Sequence, residues 1–404
     1  MVTSALFSYL NVLFLKLPTT IGLMIIAMIF TVGISISSLF TDVILNNAVN
    51  IIGAIDFKKV LLEVMLSFLL FAGALHTKFS HLKVQRYPIL MFATVGVLIS
   101  TFLIGTSAYY LLNYMQLPIS YLQALLFGAL ISPTDPIAVL GILKKAGAPK
   151  KLETKIVGES LFNDGVGVVI FLTLFQLASS PDNEISMAHI GFVFLEEVGG
   201  GILLGLALGY VTYLMLKSID NYATEVMLTL AMVMGGYLLA SSLHFSGPLA
   251  MVVAGLFVGN DTRRESSMSE ITERYVDKFW ELLDVIFNAI LFVLIGLEVL
   301  ILSFEGNYIL AGMILIPIAL LCRYLALLGP IELFKKKLDF VPRTGLIMTW
   351  GGLRGGISIA LALSLTTEMN RELIVAITYI IVVFSIIIQG LTVEKVLDWL
   401  KVKG

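Results

Sequence analysis

The sequence predicts an all-α polytopic membrane protein. Three observations carry that reading: the chain is strongly apolar, its apolar runs are evenly spaced, and its basic residues gather on alternate loops. Hydrophobic residues fill 58% of 404 positions and charged residues only 13%, with a mean hydropathy of +0.97. A soluble domain carries about 25% charged residues. A helix that crosses a bilayer needs roughly 20 mostly apolar residues. Polar breaks divide this chain into thirteen candidate spans, at roughly 3–15, 18–39, 57–76, 86–112, 121–144, 155–178, 187–216, 223–243, 246–260, 277–302, 308–330, 343–366 and 372–393.

Loop charge tests the count. With the N-terminus outside, the cytoplasmic segments hold Lys16; Lys78, Lys83 and Arg86; Lys144, Lys145, Lys150, Lys151 and Lys155; and Lys217. They continue with Arg263, Arg264, Arg274 and Lys278; Lys335, Lys336, Lys337 and Arg343; and Lys395, Lys401 and Lys403. Only Lys58, Lys59 and Arg371 fall on the other side. This asymmetry follows the positive-inside rule and puts the C-terminus in the cytoplasm. The first stretch has no basic segment before it and reads as a retained span. The chain reads as a single transmembrane domain, 1–404, with no room after Lys401 for a cytoplasmic regulatory domain.

Composition also excludes several functions. A net charge of −2 with no basic face argues against nucleic acid as a partner. The single cysteine, Cys322, lies in an apolar run, so no disulfide framework exists. The histidines (His76, His81, His189, His244) lack metal-ligand spacing. The glycine run at 351–356 has neither the strand of a dinucleotide fold nor the Gly-Lys-Ser/Thr of a phosphate loop, so no cofactor is expected and ATP-driven pumping is disfavoured.

Two segments interrupt the spans that contain them. Ile131-Ser132-Pro133-Thr134-Asp135-Pro136 places two prolines inside the fifth span, each removing a backbone donor and disfavouring helix just before it. Gly351-Gly352-Leu353-Arg354-Gly355-Gly356 interrupts the twelfth. Irregular backbone at membrane depth persists only where protein or water covers it. If the chain holds two inverted six-helix repeats, at about 1–178 and 223–393, each break falls in the fifth member of its repeat. Such pairing points to a transporter's binding site.

Chemistry concentrates at Gly158-Glu159-Ser160-Leu161-Phe162-Asn163-Asp164, opening the sixth span. Ser160 and Asp164 are four apart and share a helix face; Glu159 and Asn163 share the adjacent one. A carboxylate in the hydrocarbon region costs several kcal/mol unless it is protonated, hydrated or paired. Asp164 therefore reads as a group that binds a proton and a cation in turn. Asp135, Ser160 and Thr134 supply the further oxygens that a hard cation such as Na⁺ prefers. The alternative is a structural cap at the start of the helix. Arg323, deep in the eleventh span, needs a partner because a guanidinium cannot neutralise itself; Glu159 is the candidate. Arg354 could hold the unwound backbone of the glycine break or lend charge to a cavity. For both arginines structural pairing is the first reading. Asp284 and Asn288 share a face of the tenth span and could bond between helices. Glu63, Glu225 and Glu332 lie near span ends and read as solvated.

Ser132-Pro133-Thr134-Asp135-Pro136, Gly158 to Asp164 and Gly352-Leu353-Arg354-Gly355-Gly356 together resemble the sodium/proton antiporters of monovalent cation:proton antiporter family 1, the NhaP- and NHE-type exchangers. Phe279-Trp280-Glu281-Leu282-Leu283-Asp284 and Ser246-Gly247-Pro248-Leu249-Ala250 extend the resemblance over nearly the whole chain. It implies a thirteen-helix fold with crossed, discontinuous helices 5 and 12, a homodimer in the lipid of the plasma (inner) membrane, and one cation exchanged for one proton by alternating access. The family's ion-site positions fall on Thr134, Asp135, Ser160 and Asp164, and its buried ion pair on Glu159 and Arg323, with Asn163 nearby. The Asn163-Asp164 pair resembles the electroneutral members. Some members carry an acidic residue where this chain has Ala72, which leaves the order of Na⁺, Li⁺ and K⁺ open. The resemblance implies Na⁺ (or Li⁺) exchange for H⁺ in pH and sodium homeostasis; K⁺/H⁺ exchange by the same site is the alternative. A passive channel is disfavoured by the single titratable site between paired breaks, and an intramembrane enzyme by the lack of a nucleophile–base constellation.

Overall fold

The computed structural model describes residues 1–39, 42–57, 59–77, 79–135, 140–141, 143, 147–179, 187–260, 268–302, 305–335 and 340–400. Among these, regular structure is helical. The helices are α1 (Val2–Leu15), α2 (Thr19–Ser37), α3 (Asp42–Gly53), α4 (Leu66–Leu75), α5 (Arg86–Tyr114), α6 (Tyr121–Ile131) and α7 (Lys150–Ser179). They continue with α8 (Met187–Lys217), α9 (Tyr222–Ser242), α10 (Gly247–Val258), α11 (Glu270–Glu298), α12 (Gly306–Phe334), α13 (Thr344–Trp350), α14 (Gly356–Leu363) and α15 (Arg371–Trp399). A π-helical turn, Lys59–Met65, leads into α4.

Eight of these helices are each long and apolar enough to cross a membrane. The fifth and twelfth expected spans are not among them: α6 ends at Ile131, and the twelfth is divided into α13 and α14. Pro136 and most of the second half of the fifth span lie outside the described residues. α3 was not expected. Its run holds Asn46, Asn47 and Asn50, poor helix formers that read as a polar break. α11 also begins at Glu270, seven residues before the expected start, because its first turns are polar.

The chain divides into two compact units. One comprises residues 1–61, 99–153 and 288–404. Here α6 starts from a capping box, the Ser120 hydroxyl accepting from the Gln123 N–H at 3.2 Å while Gln123 Oε1 accepts from the Ser120 N–H at 3.1 Å. That arrangement satisfies two donors that every helix start leaves open. The Thr31 hydroxyl of α2 donates to the Gly296 carbonyl at 3.0 Å. The buried Tyr379 hydroxyl of α15 donates to the Ile295 carbonyl at 2.9 Å.

The other unit comprises residues 62–98 and 154–287. Its core gathers Phe68 and Phe71 of α4, Trp280 of α11, and Ala250, Met251 and Ala254 of α10. Phe71 and Trp280 have ring centroids 4.6 Å apart, and the indole N–H donates to the Thr229 hydroxyl at 3.0 Å. A buried indole needs such a partner. α8 lies backbone-to-backbone on α10: a Cβ on Gly201, Gly205 or Gly209 would come within 2.8 Å of Ser246 O, 2.5 Å of Ala250 O or 2.8 Å of Phe257 Cβ. Small residues permit this approach in a bilayer, where apolar burial alone does not drive helices together. The outer face of α8 presents Leu195, Leu203 and Tyr210, all exposed, as a lipid-facing helix should.

Candidate functional site

The two breaks expected from the sequence meet within the first unit. α6 ends at Ile131, and the chain continues in non-helical backbone through Asp135. α13 ends at Trp350, and α14 begins at Gly356. Between them the Asp135 N–H donates to the Leu353 carbonyl at 2.8 Å in an isolated antiparallel bridge. Each unwound segment thus satisfies part of the other's backbone.

Arg354 completes the junction. It is buried, and its Nη1 donates to the carbonyls of both Ser132 and Pro133, the second at 3.0 Å. These are carbonyls that the end of a helix leaves without intrahelical donors. Its own N–H donates to the Ser385 hydroxyl at 2.9 Å. Ser385 begins a π-helical turn, Ser385–Gln389, in α15, and at the other end of that turn the Gln389 side chain donates to the Trp350 carbonyl at 2.9 Å. The turn therefore serves both sides of the second break. π-turns arise often at such functional positions.

Close packing fixes the remaining geometry. Ser132 folds back, its hydroxyl donating to the Gly128 carbonyl at 2.7 Å and accepting from Thr101 at 3.2 Å. Gly355 lies so near Asp135 that a Cβ would fall 2.5 Å from Asp135 Oδ2. Its φ of −118° is open to any residue, so the requirement for glycine here is space alone. Arg323 is also buried; its Nη2 donates to the Met348 carbonyl at 3.4 Å, and its guanidinium packs against Gly352, where a Cβ would lie 2.5 Å from Nε.

The second unit carries the other candidates on α7, a helix without interruption from Lys150 to Ser179. Glu159 and Ser160 are 1% exposed, Asn163 0% and Asp164 7%. Four polar side chains within two turns of one helix are thus withdrawn from solvent, and Ser160 stands one turn before Asp164. Gly73 of α4 faces Leu161, and Gly165 faces Leu249 of α10. Ala72 is buried in the aromatic core around Trp280, so no carboxylate enters from that position.

Sequence reasoning missed several positions. Ser385 and Gln389 sat unremarked in an apolar span; a serine and a glutamine four apart there were the available signal. Glu225 had read as solvated, yet it is buried, and its carboxylate accepts from the Asn221 N–H at 3.3 Å. It belongs to the start of α9, where Asn221 caps the first turn, rather than to a wet loop. No group of three or more His, Cys, Asp or Glu able to hold a metal ion occurs among the described residues.

Comparison with known proteins places this arrangement. Residues 2–399 match the family described as sodium/hydrogen exchanger, transmembrane. The Na(+)/H(+) antiporter NhaP of Pseudomonas aeruginosa is 48% identical over 399 residues, covering 96% of this chain and 93% of that protein. The Na(+)/H(+) antiporter NhaH of Halobacillus dabanensis is 37% identical, covering 84% of this chain and 83% of its own. The structure of the sodium proton antiporter MjNhaP1 from Methanocaldococcus jannaschii at pH 8 shares the fold at a TM-score of 0.75 and 20% identity, covering 96% of both chains. The chain is thus a multi-pass membrane protein, and it belongs to the sodium/hydrogen exchanger family.

Proposed function

We propose that this protein exchanges Na⁺ (or Li⁺) for H⁺ across the membrane by alternating access, with Asp164 binding the proton and the cation in turn. The observation that carries the reading is the burial of Asp164 on an unbroken apolar helix, one turn from Ser160, in a member of this family. One carboxylate cannot hold both a proton and a metal ion at full strength, so each expels the other. Competition at a single group is enough to couple the two fluxes. Ser160, Thr134 and Asp135 provide further hard oxygen ligands.

The remaining charges have separate work. Glu159, Asn163 and Arg323 stabilise the site and carry no ion, so the titration falls to Asp164. Arg354 serves the backbone and stays charged throughout. One cation for one proton makes the exchange electroneutral. The protein works as a homodimer in the plasma (inner) membrane with its C-terminus in the cytoplasm, and each chain carries two inverted repeats. The Na(+)/H(+) activities in the relatives' names favour Na⁺ over K⁺.

Everted vesicles holding an acidic interior test the assignment. Adding NaCl or LiCl should dissipate the pH difference, KCl should not, and Asp164→Asn should abolish the response. Undiminished Na⁺-driven dissipation by Asp164→Asn would remove Asp164 from the mechanism.

A further inference from the structure

The second unit contains a groove lined by none of the residues assigned above to ion exchange. Its volume is about 200 Å³, and it is lined by Leu82, Ile89, Leu90, Phe162 and Leu256 together with Lys83 and Arg86. Arg86, Ile89 and Leu90 fall on one face of the first turns of α5, by their spacing of three and four. Phe162 belongs to α7 and Leu256 to α10. Gly158 of α7 lets two of the lining residues pack closely beside the groove: a Cβ there would lie 2.6 Å from Ile89 Cδ1 and 2.8 Å from Leu82 Cδ2.

The lining combines two chemistries. Most of it is hydrocarbon, suited to a chain of methylenes. Lys83 and Arg86 are exposed, and among the described residues no carboxylate forms an ion pair with either. Arg86 rests on the ring of Tyr87, with Cζ 4.8 Å from the centroid, and its Nη2 donates to the Tyr87 hydroxyl at 3.2 Å. Two cations beside an exposed tyrosine, at the start of a membrane-crossing helix, form the pattern found at headgroup level. Elsewhere on this chain, surface cations such as Lys278 and Lys335 have acidic neighbours. At this groove no carboxylate among the described residues plays that part, which leaves room for an anion from outside the chain.

We infer that the groove binds one anionic phospholipid, its headgroup phosphate held between Lys83 and Arg86 and one acyl chain lying along Ile89, Leu90, Phe162 and Leu256. The charge selects the headgroup, because a zwitterionic lipid brings its own cation to the phosphate and gains less from the pair. The apolar wall selects a lipid over a free anion. Basic residues at the membrane surface contribute about 1 kcal/mol each toward anionic lipid, so removing both should weaken binding roughly thirtyfold at most. The lipid would touch Phe162, immediately before Asn163-Asp164.

The test uses the purified full chain in detergent, with dioleoylphosphatidylglycerol, dioleoylphosphatidylcholine and inorganic phosphate as separate probes. Native mass spectrometry counts retained lipid, and the thermal unfolding midpoint reports stabilisation. Phosphatidylglycerol should be retained with about one tight copy per chain and should raise the midpoint; phosphatidylcholine and phosphate should do neither. Lys83→Gln with Arg86→Gln should lose the tight copy, while Lys16→Gln, an exposed cation that does not line the groove, should keep it. Leu90→Trp, which fills the groove and leaves both charges, should also lose it. Equal retention of phosphatidylglycerol by the double variant would overturn the site. A phosphate-induced shift as large as the lipid's, or retention unaffected by Leu90→Trp, would show an anion site without a lipid.

Discussion

The Asp135 N–H and the Leu353 carbonyl, 2.8 Å apart, join two chain breaks that lie in different helices. Neither break could persist alone, since unwound backbone in an apolar surrounding leaves polar groups that cost several kcal/mol each. Together they close on each other, with Arg354 capping the carbonyls that remain. Asp135 is held at this junction by its own backbone. Its side chain is therefore placed by the breaks and not by packing of a regular helix.

Arg354→Ala should destabilise the protein by about 2–6 kcal/mol, because two buried carbonyls lose their donor at roughly 1–3 kcal/mol each. Thermal unfolding in detergent measures the loss. Arg354→Lys should recover part of it, since a lysine can keep the charge but does not reproduce the planar guanidinium fork. An Ala variant as stable as the parent would mean that the carbonyls find other donors.

Gly355→Ala should weaken cation use with little effect on fold. The added methyl meets Asp135 Oδ2 and must push that side chain aside, while the backbone conformation suits alanine. The half-saturating Na⁺ concentration in vesicles should rise by about tenfold, which corresponds to about 1.4 kcal/mol. Gly235→Ala, where a Cβ would meet nothing within 4 Å, is the matched control and should leave exchange unchanged.

Arg323→Ala should reduce folded yield more than Na⁺ affinity. The guanidinium lies on Gly352 and donates to Met348, so its removal opens a void beside the second break. A buried carbonyl that loses its donor costs roughly 1–3 kcal/mol. Size-exclusion profiles and the Na⁺ dependence of the surviving protein separate the two effects. Normal yield with strongly weakened affinity would place Arg323 in the ion path.

Exchange should not respond to an imposed membrane potential. One cation against one proton moves no net charge, and each uncompensated charge would gain about 2.3 kcal/mol per 100 mV. Potassium-diffusion potentials of either sign, applied to vesicles with valinomycin, provide the measurement. A clear acceleration by one polarity would overturn the stoichiometry.

Much of this was legible in the sequence because membranes simplify the physics. Two prolines around Thr134 and four glycines around Arg354 marked the breaks by their density, since a single proline does not interrupt a span: α12 runs through Pro317 and Pro330. Glu159 through Asp164 marked the polar helix, since carboxylates are costly there. The partners were not legible. Nothing local says that Arg354 reaches Ser132, 222 residues away, or that Ser385 accepts its N–H. Those contacts depend on how α15 packs. α3 was hidden by its asparagines, and Glu225 by its place at a span end, where the pattern of a wet loop and that of a capped helix start coincide.

The glycines of α8 have a practical corollary. With the glycines of α8 set directly on the backbone and Cβ atoms of α10, the two helices have little side-chain layer that could yield, so they form a built-in ruler. Paired spin labels at Leu203 of α8 and at Leu243, just before α10, both exposed, should give one narrow distance distribution in Na⁺, in Li⁺ and at every pH. That invariance would supply the fixed frame against which any moving label on this transporter is measured.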